Sequence, residues 1–252
     1  MAVVAACASD DDRSGDFSRS VDIGGRSVYL TCQGQNRDGD ATIVLISGYQ
    51  DSSDVWTATD VLDLRKPAVG PPVLPVLAAA AVPAPYVVVG HSLGGLIARA
   101  YAQKHADQVR GVVFVDAFSA SIPAVFGTRW PAYRDHGLNP PVDQMPVASM
   151  RGPDSERVDL DASIAEVLAG PPFPKVPVAV LTKTEPFVGL QPLPGLPSDE
   201  TNRLYEKAQD DVVALAPATP QTFATGSDHY IQFSQPDLVV QAAELIERRA
   251  RP

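Results

Sequence analysis

The sequence predicts an α/β fold, a mostly parallel central sheet flanked by helices, and three observations predict it. Short bulky apolar runs without alternation recur, among them Ala41 to Ile46, Tyr86 to Val89 and Val109 to Val115. Such runs suit strands buried on both faces of a sheet. Segments with apolar residues at helical spacing stand between them, as with Leu93, Leu96, Ile97 and Tyr101; strands alternating with helices give a parallel sheet covered on both sides. Finally, 252 residues at 45% hydrophobic content suffice for one sizeable domain, and nothing marks a second core.

Taken in order, residues 17 to 23 and 26 to 33, joined at Gly24-Gly25, read as a hairpin. Ala41 to Ile46 is a buried strand ending in the loop Ser47 to Ser53. Tyr86 to Val89 is the next strand, and an amphipathic helix begins within about four residues of it. Val109 to Val115 places Asp116 at its C-terminal end. Residues 117 to 175 form a proline-rich, cap-like insert with helices near 129 to 136 and 161 to 169. Val176 to Leu181 is a further strand, Ser198 to Leu215 a helix, Gln221 to Ala224 the last strand and Pro236 to Arg249 a closing amphipathic helix.

Composition excludes several classes. A net charge of -10 argues against nucleic acid or an anionic membrane face as partner, since both call for basic patches. No run is long enough to span a bilayer, and no metal cluster, phosphate loop or nucleotide fingerprint is present. The expectation is a monomer acting on a small molecule without a cofactor.

The chemistry gathers around Gly90-His91-Ser92-Leu93-Gly94. A chain that passes from buried strand to helix so abruptly crowds the residues two before and two after the apex, and glycine removes the collision. Ser92 is thereby lifted clear of the sheet as a nucleophile, in the G-x-S-x-G pattern. A serine hydroxyl is almost never ionised near neutral pH and needs a base within reach. Of four histidines, His91 adjoins the serine but is expected to project away from the apex. His105 ends a helix, and His136 lies in the insert. His229, in a loop after the last strand, is the candidate base. A carboxylate must hold that imidazole in the right tautomer. Asp116, directly after the strand that follows the elbow helix, and Glu185 in "VLTKTEPF" are the candidates. The insert residues Phe118, Ile122, Val125, Phe126, Trp130 and Leu138 either line an apolar pocket or pack the insert down.

The motifs "LISGYQDSSDVW", "VVVGHSLGGLIAR", "VVFVDA", "VPVAVL" and "GSDHYIQFSQPDL" together resemble the α/β-hydrolase fold of serine hydrolases, over most of residues 17 to 250. The resemblance implies the chain order serine, acid, histidine, which Ser92, Asp116 and His229 satisfy, and it favours Asp116, at one position that the family uses, over Glu185, whose loop lacks the family's usual glycine and aspartate pattern. It implies an oxyanion hole from the backbone N–H groups of Leu93 and Tyr49, with Ser47-Gly48 standing where relatives carry His-Gly. It implies a carboxylic ester hydrolase for a small or medium substrate. A non-catalytic or defective homologue, and a cofactor-free lyase or perhydrolase using the same triad, are the alternatives. Relatives also place a strand, a loop and a helix between the residue matching Trp56 and the elbow. Here "PVLPVLAAAAVPAPY" reads as two joined pieces with that unit lost, which leaves a gap in the sheet beside the hairpin. One helix over 58 to 82 would still serve as a right-handed crossover.

The chain holds two cysteines. Val4-Ala5-Ala6-Cys7 resembles a bacterial lipobox, so residues 1 to 16 read as a signal remnant and linker, with the domain at 17 to 252 and a lipid anchor at Cys7. On that reading the protein is an extracytoplasmic lipoprotein; translation starting at Met1 would make it cytoplasmic. Cys32 reads as a small core residue.

Overall fold

The computed structural model describes residues 2–5, 17–24, 27–33, 40–49, 51, 54–57, 73–138, 158–216, 219 and 221–251. Its strands are β1 (Ala2–Ala5), β2 (Phe17–Asp22), β3 (Ser27–Cys32), β4 (Thr42–Ile46), β5 (Tyr86–His91), β6 (Val109–Val115), β7 (Val178–Lys183) and β8 (Gln221–Ala224). They form one sheet in the order β2-β3-β1-β4-β5-β6-β7-β8. From β4 to β8 every neighbouring pair is parallel. The helices are α1 (Asp54–Thr57), α2 (Val73–Ala79), α3 (Leu93–Lys104), α4 (Ile122–Phe126), α5 (Trp130–Ala132), α6 (Leu160–Ala169), α7 (Ser198–Val213), α8 (Ile231–Ser234) and α9 (Pro236–Arg249).

Alternation along the central strands divides the core in two. Val44, Ile46, Val88, Val112, Phe114 and Val180 face one side with Leu77, Ala98 and Tyr101. Ile43, Leu45, Val87, Val89, Val113 and Leu181 face the other with Trp56, Val239, Ala243 and Ile246. All are buried, which is why the strands read as continuous apolar runs. A third cluster joins the insert to the elbow: Phe118, Ile122, Phe126, Trp130 and Tyr133 pack with Leu93, Leu96, Leu204 and Tyr205. The apolar residues of the insert thus serve largely to pack it down.

The N-terminal half departs from expectation in two places. Ala2–Ala5, assigned above to a leader remnant outside the domain, lie in the sheet, parallel to β3 and antiparallel to β4. The gap foreseen between hairpin and catalytic half is therefore filled. Two facing strand edges offer unpaired N–H and C=O groups, and a short uncharged run satisfies both. Cys32 is buried and disulfide-bonded rather than a lone core thiol. Cys7, the other cysteine of the chain, lies outside the described residues, as does the lipobox reading built on it. Of the crossover before β5, α2 is described, and residues 58–72 fall outside.

Smaller differences have local causes. The strand expected at 176 to 181 runs from Val178 to Lys183, after Pro177, which has no N–H to give the ladder. The insert begins with α4, which carries Pro123 in its first turn, and continues through helical turns to Leu138. The short α8 was missed inside "DHYIQFSQ" because four residues carry too little periodicity to read. Among the described residues no helix is long and apolar enough to cross a membrane.

Candidate active site

The site begins at the C-terminal end of β5, where the chain reverses into α3. Ser92 sits at φ 53° and ψ -126°, a region costing a residue with a side chain on the order of 1–3 kcal/mol. Close packing holds it there. A Cβ on Gly90 would lie 2.5 Å from the Gly94 carbonyl oxygen, one on Gly94 2.3 Å from that of Ile46, and one on Gly95 2.3 Å from the Ala117 Cβ. The Ser92 N–H donates to the Val115 carbonyl at 3.2 Å, and the Ser92 carbonyl accepts from the N–H groups of Gly95 at 2.9 Å and Phe118 at 2.7 Å.

These bonds attach the elbow to the end of β6, where Asp116 follows. It too has a positive φ, 40°, and it is fully buried. Its N–H donates to the Leu181 carbonyl at 2.8 Å, and its own carbonyl accepts the Tyr205 hydroxyl at 2.7 Å. Its Oδ1 accepts the Lys183 N–H at 3.2 Å and its Oδ2 the His229 Nδ1–H at 2.6 Å. An ionised carboxylate only accepts, so the proton lies on Nδ1 and the lone pair of Nε2 is left as the basic site.

His229 reaches Asp116 from the loop between β8 and α8. Its ring is 14% exposed and packs against Phe187 and Tyr205, at centroid distances of 4.9 and 5.8 Å. Burial lowers the pKa of His229 from the ordinary 6.5; the hydrogen bond to Asp116 pulls the other way, and a charge on His91 adds to the lowering. Asp228 caps the turn, its Oδ1 accepting the Tyr230 N–H at 3.1 Å.

Ser92, Asp116 and His229 therefore share one edge of the sheet. The Ser92 hydroxyl itself makes no hydrogen bond among the described residues, so no bond joins it to His229 here; catalytic hydrogen bonds of unliganded sites are commonly long and tighten on binding. Glu185 is exposed, its carboxylate accepting the Thr184 hydroxyl at 3.3 Å, and it does not meet His229. On the other side of the elbow, a Cβ on Gly48 would come within 3.0 Å of the Ser92 Cβ. Tyr49 and Leu93, the expected oxyanion donors, each follow one of these two touching residues. Among the described residues no His, Cys, Asp or Glu cluster could hold a metal ion.

Several neighbours escaped the sequence reading. Lys183 is fully buried beneath the site. Its Nζ donates to the Glu185 carbonyl at 2.9 Å and to Asn202 Oδ1 at 3.3 Å, and it lies 4.7 Å from the centroid of the Phe187 ring. Asp51 and Tyr230 meet through a 3.3 Å hydrogen bond from the Tyr230 hydroxyl to Asp51 Oδ1. Lys183 on β7 meets Asn202 on α7, and Asp51 meets Tyr230 from a distant loop, so no local pattern marks these two contacts.

Comparisons with known proteins agree with this geometry at the level of fold. The family described as alpha/beta hydrolase fold matches residues 76–135, from α2 through the elbow into the insert. An uncharacterized protein of Schizosaccharomyces pombe is 49% identical over 43 residues; the match spans 17% of this chain and only 8% of that protein. Similar solved structures include a probable hydrolytic enzyme from Pseudomonas aeruginosa, with TM-score 0.57 and 18% identity over 93% of this chain and 95% of the other. An E-2-(acetamidomethylene)succinate hydrolase has TM-score 0.56 and 18% identity over 92% and 98% of the two chains. An esterase from a Rhodococcus species has TM-score 0.54 and 17% identity over 92% and 98%.

Proposed function

We propose that this chain, a protein of the α/β-hydrolase fold, hydrolyses small or medium carboxylic esters through Ser92, His229 and Asp116. The observation that carries the reading is the 2.6 Å bond from His229 Nδ1–H to Asp116, on the sheet edge that also bears the strained Ser92.

In this mechanism the Nε2 lone pair of His229 takes the Ser92 hydroxyl proton as Oγ attacks the ester carbonyl. The tetrahedral oxyanion is met by the N–H groups of Leu93 and Tyr49. The imidazolium, stabilised by buried Asp116, gives its proton to the leaving alkoxide, and an acyl-Ser92 ester remains. Water, deprotonated by the same Nε2, attacks that acyl group; the acid departs and the proton returns to Ser92. Each step balances without a cofactor. The esterase among the solved structures of the same fold supports the choice of substrate class.

A panel of p-nitrophenyl esters from acetate to octanoate tests the reading. Turnover of the shorter esters is expected, with Ser92→Ala lowering it by at least about 10³-fold. No turnover across the panel, or turnover that survives Ser92→Ala, would overturn it.

A further inference from the structure

The second imidazole of the site has no part in the mechanism above, yet it is completely buried beside it. The His91 ring centroid lies 4.6 Å from that of His229 and 5.0 Å from that of Tyr230. The contact is specific: His91 Nε2 stands 2.9 Å from the backbone carbonyl oxygen of His229. A carbonyl can only accept, so Nε2 carries the hydrogen and donates it.

The other ring nitrogen faces the opposite way. His91 Nδ1 has no hydrogen-bond partner among the described residues and lies 3.7 Å from Asp51 Oδ2. Asp51 belongs to the loop after β4 that carries Tyr49, and its other carboxylate oxygen accepts the Tyr230 hydroxyl. Gly48 sits inside this ring of contacts; a Cβ there would meet Asp51 Oδ2 at 2.7 Å and His91 Nδ1 at 3.2 Å. One buried side chain thus touches the segments carrying the nucleophile, the base and an oxyanion donor.

The geometry points to His91 as a positioning residue: its Nε2–H fixes the backbone of His229, and through it the height of the catalytic imidazole above Asp116. The inference rests on the mechanism proposed above for its kinetic consequence, but not for its structural one. The ring of His229 can rotate about its own side-chain bonds, whereas its Cα is held only if the loop is held. Reorienting a reacting group by about 1 Å costs on the order of 10²-fold in rate.

Two variants separate this role from simple packing. Gln places an amide N–H near the position of the imidazole Nε2–H; Leu fills similar space and donates nothing. The far-downfield proton resonance of His229 Nδ1–H, assigned by its loss in His229→Gln, is read together with kcat and KM on the best p-nitrophenyl ester. For His91→Leu we expect faster solvent exchange of that resonance and a fall in kcat on the order of 10²-fold, with KM little changed. For His91→Gln both readouts should stay near wild type. A folded His91→Leu variant with unaltered resonance and kcat, or a Gln variant that falls as far as Leu, would overturn the role. If the resonance responds as expected but wild-type protein turns over no ester, the positioning stands and the hydrolase reading fails.

Discussion

The two halves of the sheet solve the same problem, pairing every strand, in different ways. From β4 to β8 the strands are parallel and in sequence order, and nearly every core residue is fixed by alternation. From β2 to β4 the order is mixed: β1, the first strand of the chain, enters between β3 and β4 and runs against β4. The edge that bears Ser92, Asp116 and His229 belongs wholly to the regular half. The difference teaches that every residue of the proposed site stands on β4 to β8 and their loops, while in the irregular half β1 pairs the otherwise open edge of β4.

The largest expected effect lies in the regular half. Asp116→Asn should lower kcat on the order of 10³-fold or more while leaving the protein folded, since the amide offers the wrong tautomer to His229. Glu185→Gln, exposed and off the imidazole, should change it less than about twofold. Steady-state kinetics on both variants checks this, and a large loss in Glu185→Gln would move the acid to the neighbouring strand.

Glycine substitutions sharpen the contrast between halves. Gly94→Ala puts a methyl 2.3 Å from the Ile46 carbonyl oxygen and should cost about 3 kcal/mol or more in urea unfolding. Gly24→Ala, at φ 89° in the hairpin turn with open space around it, should cost only about 1–2 kcal/mol, from backbone strain alone. The same glycine-to-alanine change is thus governed by collision in one half and by conformation in the other.

The disulfide at Cys32 belongs to the irregular half. Its removal by Cys32→Ala should lower stability by about 2–4 kcal/mol, seen as a drop in Tm, with kcat of the remaining folded protein unchanged. A matching loss of kcat would show that the halves are not separable.

What was legible in the sequence follows the same division. The parallel strands could be read because burial on both faces leaves an unbroken apolar run, and the elbow because Gly90 is demanded by Gly94 and Gly95 a few residues on, whereas the demand for Gly94 comes from Ile46 and Ser47 at the end of β4. β1 was illegible: its place depends on two unpaired edges that only the assembled sheet creates. Asp116 and Glu185 both follow strands, so local pattern could not choose between them. The Lys183 N–H and the Tyr205 hydroxyl, which hold Asp116 toward His229, arrive from β7 and α7. His91 was expected to point away from the apex. The loop it meets is that of His229, which no spacing along the chain reveals.

The smallest effect is in pH dependence. Burial lowers the His229 pKa, so the base stays unprotonated to lower pH than a free imidazole would, and the acid limb of kcat/KM should have its midpoint below 6.5. A midpoint above 6.5 would mean that the charge of Asp116 outweighs burial.

The central claim is that the strained serine at the end of β5 is a nucleophile activated by His229. Intact-mass analysis after treatment with a fluorophosphonate tests it most directly. One adduct per chain, mapped to Ser92 and lost in both Ser92→Ala and His229→Gln, is the predicted result; an unlabelled wild-type protein, or an adduct on any other residue, would contradict it.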